Sequence, residues 1–139
     1  MSTKYICHKR FRAKAICGEV NISATTECEE ANGFIFCDGK TICACKSENA
    51  HQHFARNDDG QGMMRGKLTQ AIQKSLAKRD KAYQARWDKV WSDPICQKYK
   101  RSDHEEFWLW NHEFFNAEIV DLYHIAAIIG AKIKEVKHP

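Results

Sequence analysis

The chain has 139 residues, 43% of them hydrophobic and 29% charged, with a formal net charge of +4. That composition is globular rather than disordered, and the length is enough for a single domain, 1–139, with a sizeable core. No apolar run approaches the ~20 residues that span a bilayer, and the opening MSTKYICHKRFRAK lacks the apolar stretch of a secretory signal, so we expect a cytoplasmic protein with no membrane partner.

Tyr5 to Cys17 alternates: Tyr5, Cys7, Phe11, Ala13, Ala15 and Cys17 share one parity, and His8, Arg10, Arg12 and Lys14 the other. This is the pattern of a half-buried strand with a basic outer face. Val20 and Ile22 continue it after Gly18, and two hairpin signals follow, Asn32-Gly33 before Phe34-Ile35-Phe36-Cys37 and Asp38-Gly39 before Lys40-Thr41-Ile42-Cys43. Both dipeptides supply the positive φ angles of tight hairpin turns, so residues 4–45 read as an antiparallel sheet of about four or five strands.

Residues 46–64 form a junction loop, and from residue 65 to 137 the period becomes helical. Leu68, Ile72, Leu76, Tyr83, Trp87 and Trp91 make one apolar stripe, which predicts a helix from about Arg65 to Trp91, stopped by Ser92-Asp93-Pro94. Such a helix is about 40 Å long, more than a small sheet can cover, so its free end calls for a second helix or a second subunit. Ser102-Asp103-His104-Glu105 fits a capping box, opening a helix with Phe107, Trp108, Trp110, Phe114 and Phe115. Those aromatics exceed one core-facing stripe, a second pointer to an oligomer. Asn116 can cap a last helix whose apolar positions are Ile119, Leu122, Tyr123, Ile125, Ile128, Ile129 and Ile133. The whole reads as an α+β fold, sheet first and helices after.

Charge is blocked along the chain. Lys4, Lys9, Arg10, Arg12 and Lys14 precede any acid, Glu19 to Asp38 holds five acids and no Lys or Arg, and Arg65 to Arg101 holds eleven bases against Asp80, Asp88 and Asp93. Asp103 to Asp121 then holds six acids and no Lys or Arg. Solvated faces account for most such runs, but blocks this polarised also suit an anionic ligand or self-association of unlike faces.

The seven cysteines are odd in number and accompany no export signal, so reduced thiols acting as small buried hydrophobes are expected. Cys28, Cys37, Cys43 and Cys45, with His51 and His53, could supply zinc ligands, yet no Cys-x₂-Cys knuckle occurs and Cys43 and Cys45 alternate along one strand. His51 and His53 with Asp58 or Asp59 would make a weak divalent-metal site of nuclease type. An EF-hand loop fails because Ala55 would hold the first ligand position. We therefore expect no cofactor and no catalytic residue, since no nucleophile, base and orienter set is evident.

Gly60-Gln61-Gly62 followed by Arg65-Gly66-Lys67 is not a P-loop, its glycines being one residue too close. It still offers close backbone approach, a helix start and two cations to an anion. The pocket we expect has Phe54 stacking on a base, Arg56, Arg65 and Lys67 on phosphate, Asn57 beside them, and Arg10 and Arg12 as further cations. Nucleic acid is a less favoured partner, because the sequence pI of about 8.7 is modest and the last helices are acidic.

RFRAKAICGEVNI, EANGFIFCDGKTIC and SENAHQHFARNDDGQG resemble small phage and prophage proteins of Gram-positive bacteria, a resemblance that brings no activity with it. A sheet followed by long helices that need a second subunit is also similar in architecture to the phage anti-Thoeris sponges. That resemblance implies an oligomeric counter-defence protein in the cytoplasm of the infected host. It would sequester a cyclic nucleotide immune signal without cleaving it, and the family's binding residues do not map onto this chain one by one. The alternatives are an inhibitor or regulator that binds protein or DNA, for example against a host nuclease, and then a metal-dependent nuclease.

Overall fold

A computed structural model describes residues 3–15, 18–37, 39–99 and 112–131. The chain divides into two compact units, 1–66 and 67–139. The architecture is α+β, an antiparallel sheet followed by helices.

In the first unit, β1 (Lys4–Cys7), β4 (Glu27–Ala31), β5 (Phe34–Cys37), β6 (Lys40–Ala44) and β7 (Phe54–Arg56) form a sheet of order β6-β5-β4-β1-β7. β2 (Phe11–Ala15) and β3 (Gly18–Ile22) form a separate two-stranded ribbon. The expected hairpins are present: Asn32 and Gly33 turn β4 into β5 with φ of 53° and 82°, and Gly39 at φ 74° turns β5 into β6. The continuous strand expected over Tyr5–Cys17 is instead two, β1 and β2. At the break the Cys7 thiol donates to the Lys9 carbonyl at 3.1 Å and the His8 amide to the His53 carbonyl at 2.8 Å, so the chain leaves one ladder and starts another. Cys17 lies outside the described residues.

The junction, expected as a loop, contains α1 (Glu48–His53) and β7. The Ser47 hydroxyl caps α1 by accepting from the Ala50 amide at 3.1 Å, and β7 completes the sheet beside β1. The ribbon and α1 lie on one side of the sheet. Tyr5, Cys7, Cys28, Ile35, Cys37, Cys45 and Phe54 from the sheet form one buried cluster with Phe11 and Ile22 from the ribbon and Ala50 from α1.

Within that cluster, Cys28 and Cys37 on neighbouring strands are joined by a disulfide with Cα atoms 5.0 Å apart. This corrects the expectation of reduced thiols for these two residues. Cys7, Cys43, Cys45 and Cys96 are free, and Cys7, Cys45 and Cys96 are the small buried hydrophobes expected.

α2 (Gly62–Ala77) crosses from the first unit into the second, where α3 (Tyr83–Ser92), α4 (Pro94–Gln97), α5 (His112–Phe115) and α6 (Ile119–Ile129) follow. The single 27-residue helix is thus two. Asp80 Oδ1 accepts from the Ala82 amide at 3.0 Å and pairs with Arg86 at 2.9 Å, which turns the chain ahead of a new helix start at Tyr83. Trp87 is fully buried and its indole donates to the Leu76 carbonyl at 3.2 Å, so the apolar stripe continues while the helix folds back. The free end of that long helix called for a second subunit; among the described residues the turn at Asp80 takes its place.

The stop at Ser92-Asp93-Pro94 is where the spacing put it: α3 ends at Ser92, and Asp93 caps α4 by accepting from the amides of Ile95 and Cys96. Phe114 and Phe115 are both buried within the chain, while Phe107, Trp108 and Trp110, the proposed cap at Ser102 and Ile133 lie outside the described residues. The last helix is capped at Glu118 rather than Asn116 and closes on Gly130 in the left-handed region. No helix among the described residues is long and apolar enough to cross a membrane.

Candidate functional site

The junction motif resolves into packing. Gly62 and Gly66, one turn apart on α2, face β1: a Cβ at Gly62 would lie 2.4 Å from Ile6 Cγ2, and one at Gly66 would lie 2.2 Å from the His8 ring. The close backbone approach expected toward an anion is made toward the protein's own strand.

Arg65, between them, has no exposed surface. Its guanidinium forks onto Asp59 at 3.2 and 2.6 Å and also donates to the Arg56 carbonyl. The Arg65 hydrogen bonds hold the Asp59 carboxyl down to about 2. The Asn57 side chain accepts from the Gly62 amide at 2.8 Å, and Asp59 from the Gln61 amide at 3.0 Å. The Asn-Asp-Asp-Gly turn is therefore the N-terminal cap of α2.

The residues expected to form the anion pocket lie on several elements. Phe54 is 3% exposed and packs on Phe11 with ring centroids 5.5 Å apart, so it has no face for a base. Arg65 is committed to Asp59, Asn57 to the α2 cap, Arg56 is half-buried on β7, and Lys67 belongs to the second unit. Arg10 and Arg12 are exposed on the ribbon, where Arg10 Nε donates to Asn21 at 2.9 Å and Arg12 pairs with Glu19 at 3.0 Å. Their outward placement opposite buried Phe11 and Ile22 matches the alternation read from the sequence.

The metal alternatives also separate. His51 is buried in α1, and His53 caps the Lys9 carbonyl at 3.1 Å with its ring against Phe11. No group of three or more His, Cys, Asp or Glu side chains among the described residues could hold a metal ion. Burial raises the Cys43 thiol, and pushes Cys45 up to about 11 and Cys96 to about 12, which makes all three poor ligands and nucleophiles. His8, beside Gly66, is lowered to about 4 by burial; its ring donates to the His51 carbonyl while Nε2 has no partner.

What the sequence did not reveal is the other side of the sheet. Lys4, Glu29 and Phe36 stand in register across β1, β4 and β5, and Glu27, Ala31 and Phe34 share their face. The ribbon and α1 cover the opposite face, and the start of α2 meets this one at Ile6. Lys4, Glu27, Glu29, Ala31 and Phe34 are exposed, and a cavity of about 800 Å³ opens along the first four, lined also by Phe36 and Asp58. Among the described residues, three carboxylates, Glu27, Glu29 and Asp58, line it with the ammonium of Lys4. The alternating burial of β4 was legible in ECEEA, but a strand with acids on its outer positions reads as a solvated face until its neighbours are known.

No protein-family model, curated protein or solved structure matches the chain.

Proposed function

We propose that this is a non-catalytic binding protein whose working surface is the open face of its N-terminal sheet, and that the partner presents lysine or arginine side chains there. The observation that carries this reading is the cavity of about 800 Å³ over Lys4, Glu27, Glu29 and Phe36, where carboxylates outnumber ammonium groups among the described residues and Phe36 joins the lining. Glu27 and Glu29 are two residues apart on one strand, so their carboxylates stand about 6–7 Å apart and can each receive a guanidinium. Phe36 and the exposed Phe34 give its stem and planar face something to lie on. Of the functions expected from the sequence, a protein-binding inhibitor or regulator is the one this geometry favours.

The test is calorimetric titration with a nona-arginine peptide at low salt. Wild type binds, and Glu27→Gln/Glu29→Gln weakens binding by roughly tenfold or more. Equal affinity of the two proteins would overturn the reading.

A second reading, sequestration of an anionic nucleotide, draws support from exposed Arg10 and Arg12 on the ribbon. After incubation with cyclic nucleotides and cyclic ADP-ribose isomers, mass spectrometry of what the heated protein releases would recover one intact species in stoichiometric amount. Arg10→Ala/Arg12→Ala would release none. Recovery of nothing from wild type would remove this reading.

A further inference from the structure

We infer that the cationic surface received by the open sheet face is the β2–β3 ribbon of a second copy of this chain. The inference rests on the reading of that face as a contact surface and names its occupant.

The first unit is a slab with unlike sides. On one side the ribbon turns Phe11 and Ile22 into the core and leaves Lys9, Arg10 and Arg12 exposed. On the other side the sheet leaves Glu27, Glu29, Ala31 and Phe34 exposed. The buried cluster of Tyr5, Cys7, Cys28 and Ile35 lies between them, so one copy cannot bring its own ribbon to its own face. Two copies can.

The spacing is matched. Glu27 and Glu29 are two residues apart along β4 and repeat at about 6–7 Å; Arg12 lies in β2 and Arg10 two residues before it, just ahead of the strand. The internal partners of the two arginines do not prevent this. Arg12 and Glu19 keep 65% and 58% of their side-chain surface exposed, and Arg10 donates to the neutral Asn21 amide. Exposed pairs of this kind exchange readily for a better-placed carboxylate. Because the contact joins two different patches, it is heterologous, and copies add head to tail into a ring or an open chain. An association carried by exposed charge is weak and salt-sensitive.

The experiment is sedimentation equilibrium of the full chain at about 50 mM and about 500 mM salt, which moves the screening length from well above the contact distance to near it. Wild type associates at low salt and dissociates at high salt. Glu27→Lys/Glu29→Lys and Arg10→Glu/Arg12→Glu, all at exposed positions, are each monomeric, with self-affinity weakened roughly tenfold or more. Mixed, they associate again at low salt, because the intact ribbon of one meets the intact face of the other and the two charge-reversed patches are complementary in turn. Circular dichroism of each variant checks the fold, and the milder Glu27→Gln/Glu29→Gln protein repeats the loss without charge reversal.

A monomeric wild type at low salt, variants that sediment as wild type, or a mixture that stays monomeric would each overturn the inference. If wild type is monomeric yet still binds nona-arginine through Glu27 and Glu29, only the choice of occupant fails. If it does neither, the reading of the face fails with it.

Discussion

Removing Asp59 while keeping Arg65 should leave a buried guanidinium without its counter-charge. Arg65 is fully buried, and Asp59 supplies two of its hydrogen bonds, at 3.2 and 2.6 Å. Breaking one partner of a buried pair costs about 3–5 kcal/mol. The Asp59 side chain is 34% exposed, so water can replace part of its interaction, and we expect Asp59→Ala to cost about 2–3 kcal/mol. For a unit of this size that is a fall in melting temperature of roughly 10 °C or more by scanning calorimetry.

The pH dependence follows from Asp59 being held at about 2 in the folded state, below its ordinary value of 3.8. A depressed carboxyl stabilises the fold above its unfolded value, and that contribution is lost as pH falls through the folded value. Wild type and Asp59→Ala should therefore differ fully at neutral pH and converge between about pH 4 and pH 2. In Arg65→Met/Asp59→Ala much of the loss should be recovered, since no unpaired charge remains buried. A neutral-pH difference below about 0.5 kcal/mol, or one unchanged at pH 2, would refute the reasoning.

Gly66→Ala sets two principles against each other: alanine favours a helix interior by about 1 kcal/mol, but its Cβ would sit 2.2 Å from the His8 ring. Overpacking of this kind costs about 1–3 kcal/mol, so net destabilisation in urea titration is expected, and a stabilised variant would show that the α2–β1 packing is wrong. His8 is held near 4, below its ordinary 6.5, so the unfolded chain takes up the proton first and stability should fall by about 2 kcal/mol as pH drops from 6.5 to 4. His8→Gln should flatten that stretch of the profile, and an unchanged slope would exclude His8 as its source. Opening the Cys28–Cys37 disulfide, which closes a short loop at a sequence separation of 9, should cost about 2–3 kcal/mol in urea titration with a dithiol, and Cys28→Ala/Cys37→Ala should be indifferent to the dithiol.

Local patterns were legible in the sequence where a local cause acts. Asn32-Gly33 and Asp38-Gly39 announced their hairpins through positive φ, the alternation of Phe11 and Arg12 announced the ribbon's two sides, and Asp93-Pro94 announced the end of α3. The helical stripe was correct for Leu68, Ile72, Leu76 and Trp87, but periodicity does not register a fold-back that preserves the stripe, and Asp80 looked like one acid among many bases. At the junction a related ambiguity holds. Glycines, an arginine and acids at a helix start serve an anion or their own cap equally well, and only the placement of Ile6 and His8 against Gly62 and Gly66 decides between them. The open face was not legible at all, because whether Glu27 and Glu29 meet solvent depends on which side of the sheet the ribbon and α1 choose.

The central claim, that this open face is a contact surface, is tested most directly by carbodiimide labelling of carboxylates read by mass spectrometry, at low and high salt. The account predicts that Glu27 and Glu29 are protected at low salt and labelled at high salt, while exposed Glu118 and Asp88 in the second unit label equally in both. Equal labelling of Glu27 and Glu29 under both conditions, in a sample that associates at low salt, would contradict it.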